Sequence, residues 1–104
     1  MVTLKFRYTT RGPAAGTIPN AIVGVVASGN LEALLERTLP ATECTVEIAT
    51  PVRGFDDVWQ AVVSDFVDRA SPGGLRISIN DSGARPDTVA LRLMQGVRKM
   101  EVGE

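Results

Sequence analysis

Polar and apolar positions along the chain follow two periods. Val2, Leu4, Phe6 and Tyr8 alternate with Thr3, Lys5 and Arg7, the pattern of a strand with one buried face. Cys44, Val46 and Ile48 alternate with Thr45, Glu47 and Ala49, and Leu75, Ile77 and Ile79 alternate with Arg76, Ser78 and Asn80. These predict two further strands. A longer period governs Asp57 to Ala70, where Val58, Trp59, Val62, Val63, Phe66, Val67 and Ala70 form one helical stripe. Asp57 and Gln60 suit a capping box there, with Phe55 packing back onto the first turn. A second helix is expected from Pro86, with Val89, Ala90, Leu93, Val97 and Met100 facing inward. Pro86 and Asp87 suit its start, and Arg98 and Lys99 its end. The tail from Glu101 to Glu104 is expected to fray.

One stretch is less regular. Ala21 to Glu36 reads AIVGVVASGNLEALLE, two apolar runs meeting at a small polar corner. Gly29-Asn30 suits a two-residue hairpin loop, since both residues tolerate positive φ. In that register Ser28 is the last strand residue and pairs with Leu31, Val26 with Ala33, and Gly24 with Leu35. The second arm, LEALLER, also suits a helix capped by Asn30. The strand is the preferred reading, and Ser28 precedes either element.

Thr9 to Asn20, Thr38 to Glu43, Pro51 to Gly54, Ser71 to Gly74 and Asp81 to Arg85 are expected to be loops and turns. About five strands and two helices result, most strands preceding the first helix. This predicts an α+β fold with a largely antiparallel sheet and both helices on one face. The 104 residues are expected to form one domain, 1–104.

Composition narrows the function. The net charge is −1 and aromatics make up 5% of the chain, which argues against a nucleic-acid surface. The chain has one cysteine and no histidine. A zinc site or a Ser-His constellation therefore cannot be assembled, and no metal is expected. No apolar run approaches the length of a membrane span, and the N-terminus is unlike a signal peptide. A soluble cytoplasmic protein is expected. An enzyme acting alone would have to use Asp, Glu, Lys or Arg, so a carrier, binding or regulatory role gains weight.

Ser28 is the leading candidate site. It can be an ordinary turn serine, or a serine modified by another protein that supplies the base. Asp81-Ser82-Gly83 competes, because it superficially resembles the Asp-Ser-Leu of ordinary acyl carriers. Those carriers are helical bundles, and a turn in which Asp81 or Ser82 bonds nearby backbone is preferred here. Asp56, Asp57, Asp65 and Asp68 read as a solvated helix face, and Cys44 and Trp59 as core. Lys5, Arg7, Arg53, Arg76, Arg85, Arg92, Arg98 and Lys99 are dispersed; some could bind phosphates of a partner or prosthetic group.

VGVVASGNLEALLE from Val23 to Glu36, GFDDVWQAVV from Gly54 to Val63 and INDSGARPDTVALRL from Ile79 to Leu93 together resemble the acyl carrier (delta, or C) subunit family of malonate decarboxylase. The resemblance covers most of the chain. It implies a non-catalytic carrier whose prosthetic group, phosphoribosyl-dephospho-CoA, is joined by a phosphodiester to the serine at a Gly-Ser-Gly-Asp-like corner. By position that serine is Ser28, flanked in its turn by Ala27, Gly29 and Asn30. The resemblance also implies a dedicated transferase that attaches the group with loss of pyrophosphate. An acetyl/malonyl transferase subunit and decarboxylase subunits are the further implied partners. They exchange acetyl for malonyl on the arm's thiol and convert malonyl thioester to acetyl thioester and carbon dioxide.

The sequence departs from that pattern. Ala27 stands where glycine is expected, Asn30 where aspartate is expected, and Ser82 where an aromatic residue is expected. The loss of charge at Asn30 could slow modification. Three other readings stay open: the related carrier of citrate lyase, a structural or regulatory subunit with no covalent arm, and a self-sufficient enzyme.

Overall fold

The computed structural model describes residues 1–101; the expected fraying of the tail falls largely outside them. The elements run β1 (Val2–Thr9), β2 (Asn20–Gly24), β3 (Asn30–Arg37), β4 (Glu43–Thr50), α1 (Asp56–Ala70), β5 (Leu75–Ser82) and α2 (Pro86–Glu101). The strands form a single five-stranded sheet in the order β1-β4-β5-β3-β2. Three pairings are antiparallel, and β4–β5 is parallel. The parallel pair has a local cause. α1 lies between β4 and β5 in the chain, and a helix is the usual crossover that returns a strand in the same direction.

The period-two signal places the core correctly. Leu31, Ala33, Leu35, Cys44, Val46, Ile48, Leu75 and Ile77 are each 0% exposed, and the register stacks them on one face. Trp59, Val63, Phe66 and Val67 of α1 and Val89, Leu93, Val97 and Met100 of α2 close over that face. The opposite face carries Lys5, Arg7, Glu47, Arg76, Asn80, Glu32 and Glu36. A sheet with one dry and one polar face needs strict alternation, which these strands have.

LEALLER is a strand, as preferred. It lies between β5 and β2, so its alternate leucines fill the core, and this burial outweighs the modest helix propensity of the segment. Gly96 of α2 lets the helix approach β3 closely: a Cβ there would stand 2.6 Å from Leu35 Cδ1. The loop before β2 is pinned by Arg37. Its guanidinium donates to the carbonyls of Ile18 at 3.1 Å, Ala14 at 2.8 Å, Ala15 at 3.1 Å and Met100 at 3.1 Å.

Several local expectations are corrected. Asn20 is already in β2, and β5 continues through Asp81 and Ser82, which were expected in a turn. α1 begins at Asp56, with Phe55 as its N-cap residue and no side-chain cap bond, so the Asp57–Gln60 capping box does not form. Phe55 is exposed, as is Val58. Neither joins the buried stripe, because the chain enters the helix over an open groove.

Candidate functional site

The corner around Ser28 differs from the predicted hairpin. β2 pairs with β3 so that Val23 lies opposite Ala33 and Gly24 opposite Glu32. The expected partner of Ala33 was Val26, so the true register is shifted by three residues. An odd shift turns every side chain to the other face: Ala21 and Val23 point into the core, while Ile22 is exposed. The connection is then the longer loop 25–29, not Gly29-Asn30 alone, and Asn30 is the first residue of β3.

Gly24 sets this boundary. Its φ is +78°, and a Cβ there would collide with the carbonyl oxygen of Leu31. That carbonyl accepts the Val25 N–H at 3.0 Å, the last rung before the chain departs. Only glycine satisfies both the backbone angle and the close approach.

Within the loop, the Asn30 N–H donates to the Ala27 carbonyl at 2.9 Å. Ala27-Ser28-Gly29-Asn30 is thus a four-residue turn with Ser28 at its second position. Gly29 at the third has φ +76°, as a type II turn requires. Ala27, Ser28 and Gly29 are all exposed, and Val25 and Val26 beside them are exposed apolar residues. Ser28 therefore stands at the outer bend of the turn, one step more prominent than at a strand end.

The turn is tied down from behind. The Gly29 N–H donates to the Ser82 carbonyl at 2.8 Å. Asn30 Oδ1 accepts the Leu31 N–H at 2.8 Å and Arg92 Nε–H at 3.1 Å. Arg92 also donates from Nη1 to Gln95 Oε1 at 2.9 Å. Lys99 Nζ donates to the Ile22 carbonyl at 2.9 Å along the edge of β2. Asn30 thus uses a neutral amide oxygen where a carboxylate was expected, and still engages the guanidinium. Arg92 had been one of several dispersed cations; only the packing of α2 against β2 and β3 singles it out.

Asp81 and Ser82 have structural positions. Asp81 is buried, accepts the Thr50 hydroxyl at 2.8 Å through Oδ2 and accepts the Ala84 N–H at 2.9 Å through Oδ1. Ser82 pairs with Asn30 inside the sheet. Asp56, Asp57, Asp65 and Asp68 are exposed around α1, Asp65 pairing with Arg69. Among the described residues no group of acidic, cysteine or histidine side chains could hold a metal ion. Cys44 is buried, and burial pushes its thiol up to about 12. Burial also raises the Tyr8 hydroxyl, helped by the nearby Cys44 and Asp68 charges. No described helix is long and apolar enough to cross a membrane.

A groove not foreseen from the sequence opens beside this corner. It has a volume of about 330 Å³ and is lined chiefly by Val52, Phe55, Val58, Trp59, Val62 and Val89, with Gly83 and Arg85 at its rim. Gly83 is itself bridged to Asn30.

A family model described as the malonate decarboxylase delta subunit (MdcD) matches residues 19–100. The malonate decarboxylase acyl carrier protein of Bradyrhizobium diazoefficiens is 59% identical over 96% of this chain and 95% of its own. That of Xanthomonas campestris is 50% identical over 93% of this chain and 92% of its own. Among solved structures, a chain from the crystal structure of a Pseudomonas malonate decarboxylase hetero-tetramer in complex with malonate superposes with a TM-score of 0.84. It is 38% identical, and the match covers 96% of this chain and 99% of that one.

Proposed function

The chain belongs to the malonate decarboxylase delta-subunit family of acyl carrier proteins, and from that premise we propose that Ser28 is its point of covalent attachment to phosphoribosyl-dephospho-CoA. The observation that carries this reading is the position of Ser28 at the outer bend of an exposed turn held from behind by Arg92 and Ser82. A modifying enzyme needs a protruding hydroxyl with small neighbours, and Ala27 and Gly29 are such neighbours. It need not find a base in this chain, which has no histidine.

The residues fit the group. The Ser28 side chain faces solvent, so a phosphodiester there displaces nothing from the core. Arg92 and Lys99 on the neighbouring helix bring positive charge to the same edge. Once bound, the group supplies a terminal thiol on which acyl units are held as thioesters. This chain supplies the anchor, a turn of fixed shape and surfaces for its partners. Tethering turns encounters with successive active sites into intramolecular ones, which raises effective concentration without new contacts.

In this reading the protein is a non-catalytic cytoplasmic subunit, one carrier domain over residues 1–104. It works with an acetyl/malonyl transferase subunit, with decarboxylase subunits and with the prosthetic-group transferase. Intact mass with peptide mapping tests the site, on chain isolated from cells that make the transferase. An adduct on the Ser28 peptide, absent from Ser28→Ala, is expected. An adduct on Ser82 would move the site. Unmodified chain, with a transferase active on another carrier, would favour a structural subunit without an arm. The related citrate lyase role is separated by assay with each set of partner subunits.

A further inference from the structure

The groove beside the Ser28 corner has no part in anchoring the arm. Its walls come from both helices: Phe55, Val58, Trp59 and Val62 from the start of α1, and Val89 from α2. The buried polar group at its floor, Asp81, is already bonded to Thr50 and Ala84. The groove therefore offers apolar contact and little else, apart from the exposed Arg85 at its rim. Its volume of about 330 Å³ is in the range of small-ligand sites. Phe55 and Val58 are 49% and 39% exposed on its lip, so an occupant would remove apolar surface from water.

Its place relative to Ser28 is what selects the occupant. Gly83 on the rim bridges to Asn30, and the Ser82 carbonyl holds Gly29. Ser28 is two residues from Asn30, so the rim lies no more than about 12 Å away. A phosphopantetheine-like arm is longer than that. An arm fixed at Ser28 would present its far end to the groove at an effective concentration on the order of millimolar. Even weak apolar contact would then hold it there. An untethered partner side chain has no such advantage.

We infer that this groove is a resting site for the apolar, acylated end of the arm carried on Ser28, shielding the thioester from water between visits to partner subunits. The inference rests on the carrier reading above. Phosphate and ribose remain outside the groove, on the side of the turn held by Arg92. The uncharged acetyl form is the preferred occupant, because a free carboxylate would lose hydration among valines.

Trp59 is the only tryptophan in the chain and lines the groove, so its emission reports on occupancy. The experiment compares apo, loaded and acetylated full-length chain, each verified by intact mass, and measures hydroxylamine cleavage of the acetyl thioester, which gives acetohydroxamate and the free arm thiol. Val58→Lys and Phe55→Asp, both at exposed positions, close the groove to an apolar guest. The expected result is a change in Trp59 emission on acetylation. Cleavage of the acetyl thioester is expected to be at least severalfold slower than that of acetyl-pantetheine and to be accelerated by either variant. If mass confirms the adduct on Ser28 while emission is identical in all three forms or neither variant alters cleavage, the resting site is wrong and the carrier reading stands. If Ser28 carries no adduct, the carrier reading fails and the resting site with it.

Discussion

Two glycines at the Ser28 corner separate the observed register from the shorter hairpin. Both have positive φ, +78° at Gly24 and +76° at Gly29, but their surroundings differ. A Cβ on Gly24 would run into the Leu31 carbonyl oxygen, while one on Gly29 meets nothing within 4 Å. Alanine in the left-handed region costs about 1–2 kcal/mol at either site. At Gly24 the collision adds roughly 1–3 kcal/mol, because the blocking atom is backbone and already accepts the Val25 N–H. The stiffening of the unfolded chain by alanine is common to both variants and cancels in the comparison. Gly24→Ala is thus expected to cost about 3 kcal/mol and Gly29→Ala about 1 kcal/mol. The assay is urea unfolding followed by Trp59 emission. At a slope of about 1.5 kcal/mol/M, the midpoint falls by some 2 M for the first variant and about 0.7 M for the second. In a two-residue Gly29-Asn30 hairpin the order would be reversed, since Gly24 would lie within a regular strand. Equal losses, or a larger loss for Gly29→Ala, would refute the register and the placement of Ser28 that follows from it.

Other outcomes follow from the same contacts. Arg37→Ala removes donors from four carbonyls that join the 14–18 loop to the end of α2. It should cost about 2–3 kcal/mol and lower the melting temperature by roughly 10 °C or more, with Arg37→Lys recovering little because one ammonium cannot span the set. Arg92→Ala removes one of the two donors to Asn30 Oδ1; it should cost only about 1 kcal/mol and, on the attachment proposed at Ser28, slow covalent loading severalfold, read by timed intact mass. Cys44 supplies a pH dependence. Its thiol is raised from 9.0 to about 12 by burial, so the unfolded chain loses this proton first as pH rises. The associated stability is fully present below pH 9 and is lost between pH 9 and 12, about 1 kcal/mol of it by pH 10. Tyr8, also raised, acts in the same direction. Urea midpoints at pH 8 and pH 10 should show the fall, and Cys44→Val should lessen it.

How much was legible depended on whether a feature is local. Leu75, Ile77 and Ile79 announce a strand and its buried face through spacing alone, and Val63, Phe66 and Val67 announce a helix. Composition likewise limits the chemistry available: a chain without histidine and with one cysteine cannot assemble a Ser-His pair. Three blocks spread over the chain were enough to suggest the family.

What two distant segments do together depends on how the packed elements meet. Val26 and Val23 are equally good strand residues, so nothing local chooses between registers three residues apart. The choice comes from docking β3 between β5 and β2, where Ala21 and Val23 must face the core and Gly24 must pass the Leu31 carbonyl. Phe55 and Val58 carry apolar side chains whether they are stripe or lip. Only the approach of α2 leaves them on a groove. Arg92 is likewise one cation among eleven basic residues until α2 lays it against Asn30. Periodicity reports which face of an element avoids water, whereas register, grooves and hydrogen-bond partners depend on which elements meet across that face.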